Sequence, residues 1–245
     1  MRLWELNGDT FEKIRKDIAI LPVGSLERHG NHLPLGTDTI IPLRLAEEVS
    51  KRLRILLMPP IWYGSCRGLR EFPGTFDVDS MVFHAYVLNV MLEAARNGVK
   101  LLIVLNGHGG NTSALLSAAR EAAHKSDMSV VVLNWWTDIG VEARKALFKH
   151  PGHAGEDETS LLLAIRPDLV NMSKAFDHLK EYPSFRIYSR KIEKEVYKQA
   201  LNGSATLATS EKGKLWLNAL VEDLIKVIKE SSKLLGIDVE DNNAI

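Results

Sequence analysis

Val99 to Asn111 reads VKLLIVLNGHGGN, and this stretch decides the fold. Val99 to Leu105 (VKLLIVL) is a near-continuous apolar run, as expected of a central parallel strand covered on both faces. Asn106-Gly107-His108-Gly109-Gly110-Asn111 then turns off its end. Outward from there, strand-type and helix-type segments alternate. Toward the N-terminus, Asp17 to Val23 (DIAILPV) reads as a short buried strand. Ile40 to Leu53 reads as a helix, with Thr39 as its cap and Pro42 in its first turn. Leu53 to Met58 (LRILLM) is a strand stopped by Pro59 and Pro60, and Val78 to Asn97 is a long amphipathic helix closed by Gly98. Toward the C-terminus, Asn111 to Lys125 is a helix, Met128 to Asn134 a strand, and Asp138 to Phe148 a further helix. Glu158 to Ile165 is helical and stopped by Arg166-Pro167. Residues 171–208 show no clean period. Glu211 to Leu235 is a helix striped by Trp216, Leu220, Leu224, Val227, Ile228 and Leu235, followed by a frayed tail over 238–245.

This alternation predicts an α/β fold, a three-layer sandwich with a mostly parallel central sheet, formed by residues 1–245 as one domain. In such folds ligands bind beyond the carboxyl ends of the strands. The polar residues crowd into those places: after Val23, after Leu105 and before Glu158.

Composition narrows the function classes. Apolar residues are 45% and charged residues 25% of 245, ordinary for a globular chain that needs no disulfide or structural metal merely to fold. Lys plus Arg and Asp plus Glu balance at 31 each, which disfavours a nucleic-acid-wrapping surface. The single cysteine, Cys66, cannot form an internal disulfide. No apolar run reaches about 18 residues, and the N-terminal MRLWELNGDTF has no secretory h-region. The expectation is a cytoplasmic protein with neither membrane nor nucleic acid as partner.

Three clusters carry candidate chemistry. In Gly24 to Asp38, Glu27 and His29 stand two apart, so an extended backbone points both side chains the same way. With Asp38 on the return of the loop, they offer oxygen and nitrogen donors that suit a borderline divalent cation. A polar loop with satisfied hydrogen bonds and no metal is the competing reading. In Asn106 to Asn111 the glycines let the backbone turn and leave His108 at the sheet edge, and the N–H groups of Gly109 and Gly110 can meet a developing oxyanion. A plain tight turn competes. In Gly152 to Ser160, His153 is a candidate proton donor. One carboxylate, Glu156 or Glu158, either completes a metal position or belongs with Asp157 to an acidic helix start, and Asp157 is placed in that helix start.

Trp135 and Trp136 follow a strand end, where they either cover a flat polar ligand or pack in the core or against a subunit. Arg67 and Arg70 stand either toward an anionic substrate or at a surface. Cys66 and Ser25 lack the setting of a nucleophile.

Taken together, GSLERHGNHLPLGTD (24–38), YG (63–64), FPGT (72–75), NGHGGN (106–111) and GHAGEDETS (152–160) resemble the creatininase, or creatinine amidohydrolase, family. GSATLATSEKG (203–213) looks like a further signature of it, and the resemblance runs over about residues 18–220. It implies an α/β fold with a mostly parallel sheet, hydrolysis of amide-type C–N bonds, and two divalent metal ions per subunit, zinc or manganese foremost and iron also known. Glu27, His29, Asp38 and His108 match the family's ligands, with Asp38 bridging the ions. Where creatininase has a further glutamate ligand, this chain has Gly110, so the fifth ligand is expected from the third cluster, with Glu156 chosen over Glu158. His153 matches a histidine near the substrate carbonyl. Family members are often homo-oligomers, hexamers built as three dimers.

The functional expectation is a metal-dependent amidohydrolase. A metal-activated hydroxide attacks the carbonyl carbon of a small or cyclic amide. His153 or the glycine loop steadies the oxyanion, and His153 or Glu158 passes a proton to the departing nitrogen. Gly109, Gly110, Trp135 and Trp136 are the expected substrate contacts. The alternatives are a formamide deformylase or peptidase of a cofactor pathway, and a non-catalytic metal-binding protein of the same fold.

Overall fold

The computed structural model describes residues 1–181, 184, 185, 187 and 189–240. Four strands form one all-parallel sheet: β1 (Ile18–Val23), β2 (Leu56–Leu57), β3 (Leu101–Asn106) and β4 (Ser129–Asn134), in the order β2-β1-β3-β4. The helices are α1 (Gly8–Lys13), α2 (Thr37–Leu53), α3 (Ser80–Arg96), α4 (Thr112–Lys125), α5 (Trp135–Asp138), α6 (Val141–Leu147), α7 (Glu156–Ile165), α8 (Arg190–Val196) and α9 (Ser210–Leu234).

Alternation along the strands builds the layers. Ile18, Ile20, Leu101, Ile103 and Leu105 pack with Leu45 and Val49 of α2, Leu161 and Leu162 of α7, and Trp216, Leu220 and Leu224 of α9. Ala19, Leu21, Val23, Leu102 and Val104 pack with Phe83, Val87 and Met91 of α3 and Leu115 and Ala118 of α4. The α/β sandwich expectation is met. The register sets where the site forms. Val23 pairs with Asn106 and Asn106 with Asn134, so β1, β3 and β4 end level and release their loops at one edge.

Several boundaries differ from the sequence reading, each for a local reason. Helix α2 starts at Thr37 rather than Ile40, so Asp38 sits in its first turn and Pro42 lies inside it. Pro42 has no N–H to give the Asp38 carbonyl. Gly107 packs over that carbonyl, so closely that a Cβ there would come 1.8 Å from it, while its own N–H donates to Val23 O at 2.7 Å. The strand expected over Leu53–Met58 shrinks to Leu56–Leu57, because α2 runs to Leu53 and ends on Arg54 at φ 52. The helix expected over Asp138–Phe148 divides at Gly140, with φ 60, into α5 and α6. Helix α7 begins at Glu156, two residues before the expected start.

Helix α9 is capped by the Thr209 side chain, and its Trp216, Leu220, Leu224 and Ile228 are buried in the core, where the helix packs on α7, α2 and α6, whereas Leu235 is exposed. Within 171–208 lie α8 and a short antiparallel pair, β5 (Asp177–His178) with β6 (Gly203–Ser204). The part of the expected frayed tail over 241–245 lies outside the described residues. No helix among the described residues is long and apolar enough to cross a membrane.

Candidate metal centre

The chain leaves β1 at Val23 and returns through α2, carrying Glu27, His29 and Asp38 to the carboxyl edge of the sheet, where all three are buried. The turn after β3 brings His108 to the same edge. Its shape comes from its own asparagines. Asn106 Nδ2 donates to the His108 carbonyl at 2.8 Å, and the His108 N–H donates to Asn106 Oδ1 at 3.1 Å. Asn111 Nδ2 donates to the Gly24 carbonyl at 2.9 Å and Asn111 Oδ1 accepts from the Ser65 N–H at 2.8 Å, so one side chain ties both neighbouring loops to this turn.

Three overlapping groups result: Glu27, Asp38 and His108; His29, Asp38 and Glu158; and Glu27, His29 and His153. Within each group the donor atoms lie within 4.8 Å of one another. Asp38 joins two of them, with Oδ1 3.0 Å from His29 Nε2 and Oδ2 3.0 Å from His108 Nδ1. Glu27 Oε1 lies 3.2 Å from His108 Nδ1 and 3.7 Å from His153 Nδ1, and Glu158 Oε2 lies 3.7 Å from His29 Nε2.

Each histidine spends its outer nitrogen on a backbone carbonyl. His29 Nδ1 meets Glu27 O at 3.1 Å, His108 Nε2 meets Ser65 O at 3.0 Å and His153 Nε2 meets Arg28 O at 3.0 Å. A carbonyl only accepts, so these nitrogens carry the proton. In the neutral rings His29 Nε2, His108 Nδ1 and His153 Nδ1 then turn lone pairs toward carboxylates. Both oxygens of Glu27, and Oδ2 of Asp38, are buried without a hydrogen bond from any described residue. Lone pairs facing lone pairs in a buried space call for positive charge between them.

The titration of the groups says the same. Burial disfavours a charged His29, but Asp38, Glu158 and Glu27 outweigh it and hold the ring up at about 10. Burial likewise opposes a charged His108, and Glu27 and Asp38 raise it well above the ordinary histidine value. Burial would raise Asp38, yet His29 and His108 hold it well below the usual carboxylate range. Burial raises Glu27, and burial with Asp38 and Asp157 raises Glu158 to about 8. His153 is pushed down to about 3, by burial first and then by His29. The donor set fits divalent cations of the zinc or manganese type.

The structure does not bring the expected fifth ligand, Glu156, into this set. Its Oε2 accepts from the Lys149 and His150 N–H groups at 2.9 and 3.1 Å, and its Oε1 meets Lys212 Nζ at 2.5 Å. Because α7 begins at Glu156, residues 156 and 158 stand about 200° apart around the helix and cannot face one target. Glu158 is the carboxylate at the cluster. Trp135 is also displaced from its expected role. It is fully buried, its ring 5.2 Å from that of Trp216, and contributes to the core rather than to a ligand surface. Trp136, Gly109 and Gly110 do line the cleft above the cluster, together with His153 and Glu158.

That cleft is about 1030 Å³, and Arg70 and Arg190 line it with no ion-pair partner among the described residues. Cys66 is buried, and burial raises its thiol to about 11, so it is no nucleophile. Sequence reasoning missed Ser65 and Arg28, which act through backbone carbonyls that no side-chain motif announces. It also missed Tyr197, whose ring meets His153 edge-on at 5.4 Å from within the segment without periodicity.

Fold and cluster together define a class: an α/β protein with a buried carboxylate–histidine centre, open to a cleft, at the carboxyl edge of a parallel sheet. The family described as "Creatininase: Creatinine amidohydrolase" matches residues 4–228. The chain is 31% identical over 232 residues to creatinine amidohydrolase of Pseudomonas putida, covering 87% of this chain and 89% of that protein. It is 32% identical over 224 residues to mycofactocin precursor peptide peptidase of Mycobacterium ulcerans, covering 85% and 83%. A solved structure described as "Creatininase Mn" superposes with a TM-score of 0.84 at 28% identity, covering 94% of this chain and 98% of that one. The chain belongs to the creatininase family and is a creatininase-like amidohydrolase, a hydrolase acting on C–N bonds.

Proposed function

We propose that the protein is a metal-dependent amidohydrolase whose two divalent cations are held by Glu27, Asp38 and His108 on one side and by His29, Asp38 and Glu158 on the other. The observation that carries this reading is the set of buried, unpaired oxygens of Glu27 and Asp38 facing histidines whose second nitrogens are already committed to backbone carbonyls. Asp38 directs one oxygen toward His29 and the other toward His108, so it would serve both halves of the cluster. Bound divalent cations supply an activated water for attack on a carbonyl carbon.

The chain's own groups do the rest. His153 turns its Nδ1 toward the cluster, 3.7 Å from Glu27 Oε1, where it passes a proton to the departing nitrogen. Arg28 O holds the ring in the required tautomer. Gly109 and Gly110 line the cleft wall, and their N–H groups would meet a developing oxyanion there. Trp136 covers the face of a planar amide.

The substrate is a small or cyclic amide. The cleft volume favours a second reading, an amide or formamide within a larger molecule, because about 1030 Å³ lies at the upper end of the range for small-molecule sites, roughly 300–1,000 Å³. In either case the enzyme works in the cytoplasm as a homo-oligomer and needs no nucleic acid or membrane. The deciding experiment is elemental analysis of protein purified without added metal or chelator. About two transition-metal ions per chain support the reading. A value near zero, unchanged by incubation with zinc, manganese or iron(II), overturns it and favours a non-catalytic role.

A further inference from the structure

The signature at 203–213 is unused by the chemistry above, yet it lies against the first turn of α7. Three consecutive carboxylates occupy that turn, and each has a different anchor. Glu156 meets Lys212 Nζ at 2.5 Å and the Lys149 and His150 N–H groups. Asp157 accepts from Arg144 Nη2 at 2.6 Å and from the Gly152 N–H at 2.9 Å. Glu158 accepts from the Ala154 N–H at 2.7 Å and faces His29. Successive helical residues stand about 100° apart, so one residue's rotation of this turn would exchange which carboxylate meets the cluster.

The N-cap, Gly155, brings no side chain to hold that rotation. Beside the Arg144 pair and the N–H groups of 149–154, the turn is held from 202–213. The Asn202 N–H donates to His153 O at 2.9 Å and the Ser204 N–H to His150 O at 3.2 Å. The Thr209 N–H donates to Ser160 Oγ at 3.1 Å, and Ser160 Oγ donates to Glu156 O at 2.6 Å. Gly213 lies so close to Ser160 that a Cβ there would come 1.9 Å from the Ser160 carbonyl. Lys212 supplies the only side-chain cation of this contact, against a fully buried carboxylate.

We propose that Lys212 is a positioning residue: through Glu156 it fixes the rotation of the first turn of α7, so that Glu158 and no neighbouring carboxylate faces the His29 and Asp38 half of the cluster. The inference rests on the two-cation reading above. It makes the 203–213 signature a brace for one of the two cations, and it predicts that this brace acts on one site and spares the other.

The test is a titration of metal-free protein with Mn(II), with free ion followed by electron paramagnetic resonance, in wild type, Lys212→Met and Lys212→Arg. Wild type binds two ions. Lys212→Met keeps the affinity of one and weakens the other about tenfold, the lower end of the effect of removing an outer-shell partner. Lys212→Arg, which keeps the charge, restores most of it. Should Lys212→Met fail to fold, Glu156→Gln keeps the shape, removes the same ion pair and weakens the same single site. A lysine that only stabilises the fold would lower the melting temperature and leave both affinities unchanged, which overturns the proposal. Wild-type protein that binds no Mn(II) overturns the two-cation reading and the proposal with it. Wild type binding two ions, beside unchanged Lys212→Met and Glu156→Gln variants, overturns the proposal alone.

Discussion

Glu156 and Glu158 share one helical turn and face opposite sides of it: Glu156 Oε1 lies 2.5 Å from Lys212 Nζ, and Glu158 Oε2 lies 3.7 Å from His29 Nε2. A separation of two residues turns a helix by about 200°. The two glutamates are therefore not interchangeable, and metal binding separates them. Glu158→Ala holds one cation per chain at saturation. Glu156→Ala still holds two, one of them more weakly, and loses about 1–3 kcal/mol of stability from the broken, partly exposed pair. Metal content by elemental analysis, with urea unfolding alongside, checks both outcomes. A Glu158→Ala protein that keeps two tight ions contradicts the assignment.

Trp135 and Trp136 make a second contrast. Trp135 is fully buried between Trp136 and Trp216, with ring centroids 5.9 and 5.2 Å away. Trp135→Ala removes a large core side chain and costs about 3–5 kcal/mol. Trp136→Ala costs less than that and instead raises KM, because Trp136 lines the cleft. Thermal unfolding and steady-state kinetics on any amide the enzyme accepts distinguish them.

His32 gives a prediction in pH. Burial first, and then the charge on His29, lower its imidazole to about 4. An unfolded chain protonates it near 6.5, as a free histidine does. Between those values the unfolded chain binds a proton that the folded one refuses. Stability from this group is therefore whole above about pH 6.5 and is lost as pH falls toward 4. In His32→Asn the dependence of unfolding free energy on pH flattens by up to about one proton across that window. Urea unfolding at several pH values measures the slope, and an unchanged slope would show that His32 stays protonated or exposed.

Cys66 is expected to be inert in the native protein. Its Sγ lies against Phe76 O at 3.3 Å, and burial raises the thiol to about 11, so little thiolate exists near neutral pH. Iodoacetamide should label it only after unfolding, and activity should survive the treatment. Rapid native labelling would mean that the loop around it opens.

Much of the fold was legible because burial on both faces leaves an unmistakable trace. VKLLIVL and DIAILPV read as covered strands, and the residues after them mark the sheet edge where Glu27, His29, Asp38 and His108 gather. Boundaries were less legible where a tertiary contact replaced a local one. Pro42 lies inside α2, and Gly107 packs over the Asp38 carbonyl that the proline leaves free, a contact nothing within residues 37–42 announces. Tyr197, which meets His153, lies where the described elements are short, α8 of seven residues and β5 and β6 of two each, too short to show a period.

The sequence by itself determined the α/β class and the family, and the resemblance to that family implied four of the five proposed ligands. Glu27, His29 and the glycine turn around His108 follow strand ends, where neighbours in the chain are neighbours in space. Tertiary structure alone decided which of the three consecutive carboxylates reaches the cluster and which tryptophan meets the cleft. Those choices depend on the rotation of a helix start and on the packing of α9 against it. Lys212 and Trp216, more than fifty residues away in the chain, set them through a partly exposed ion pair and a ring contact that local sequence does not encode.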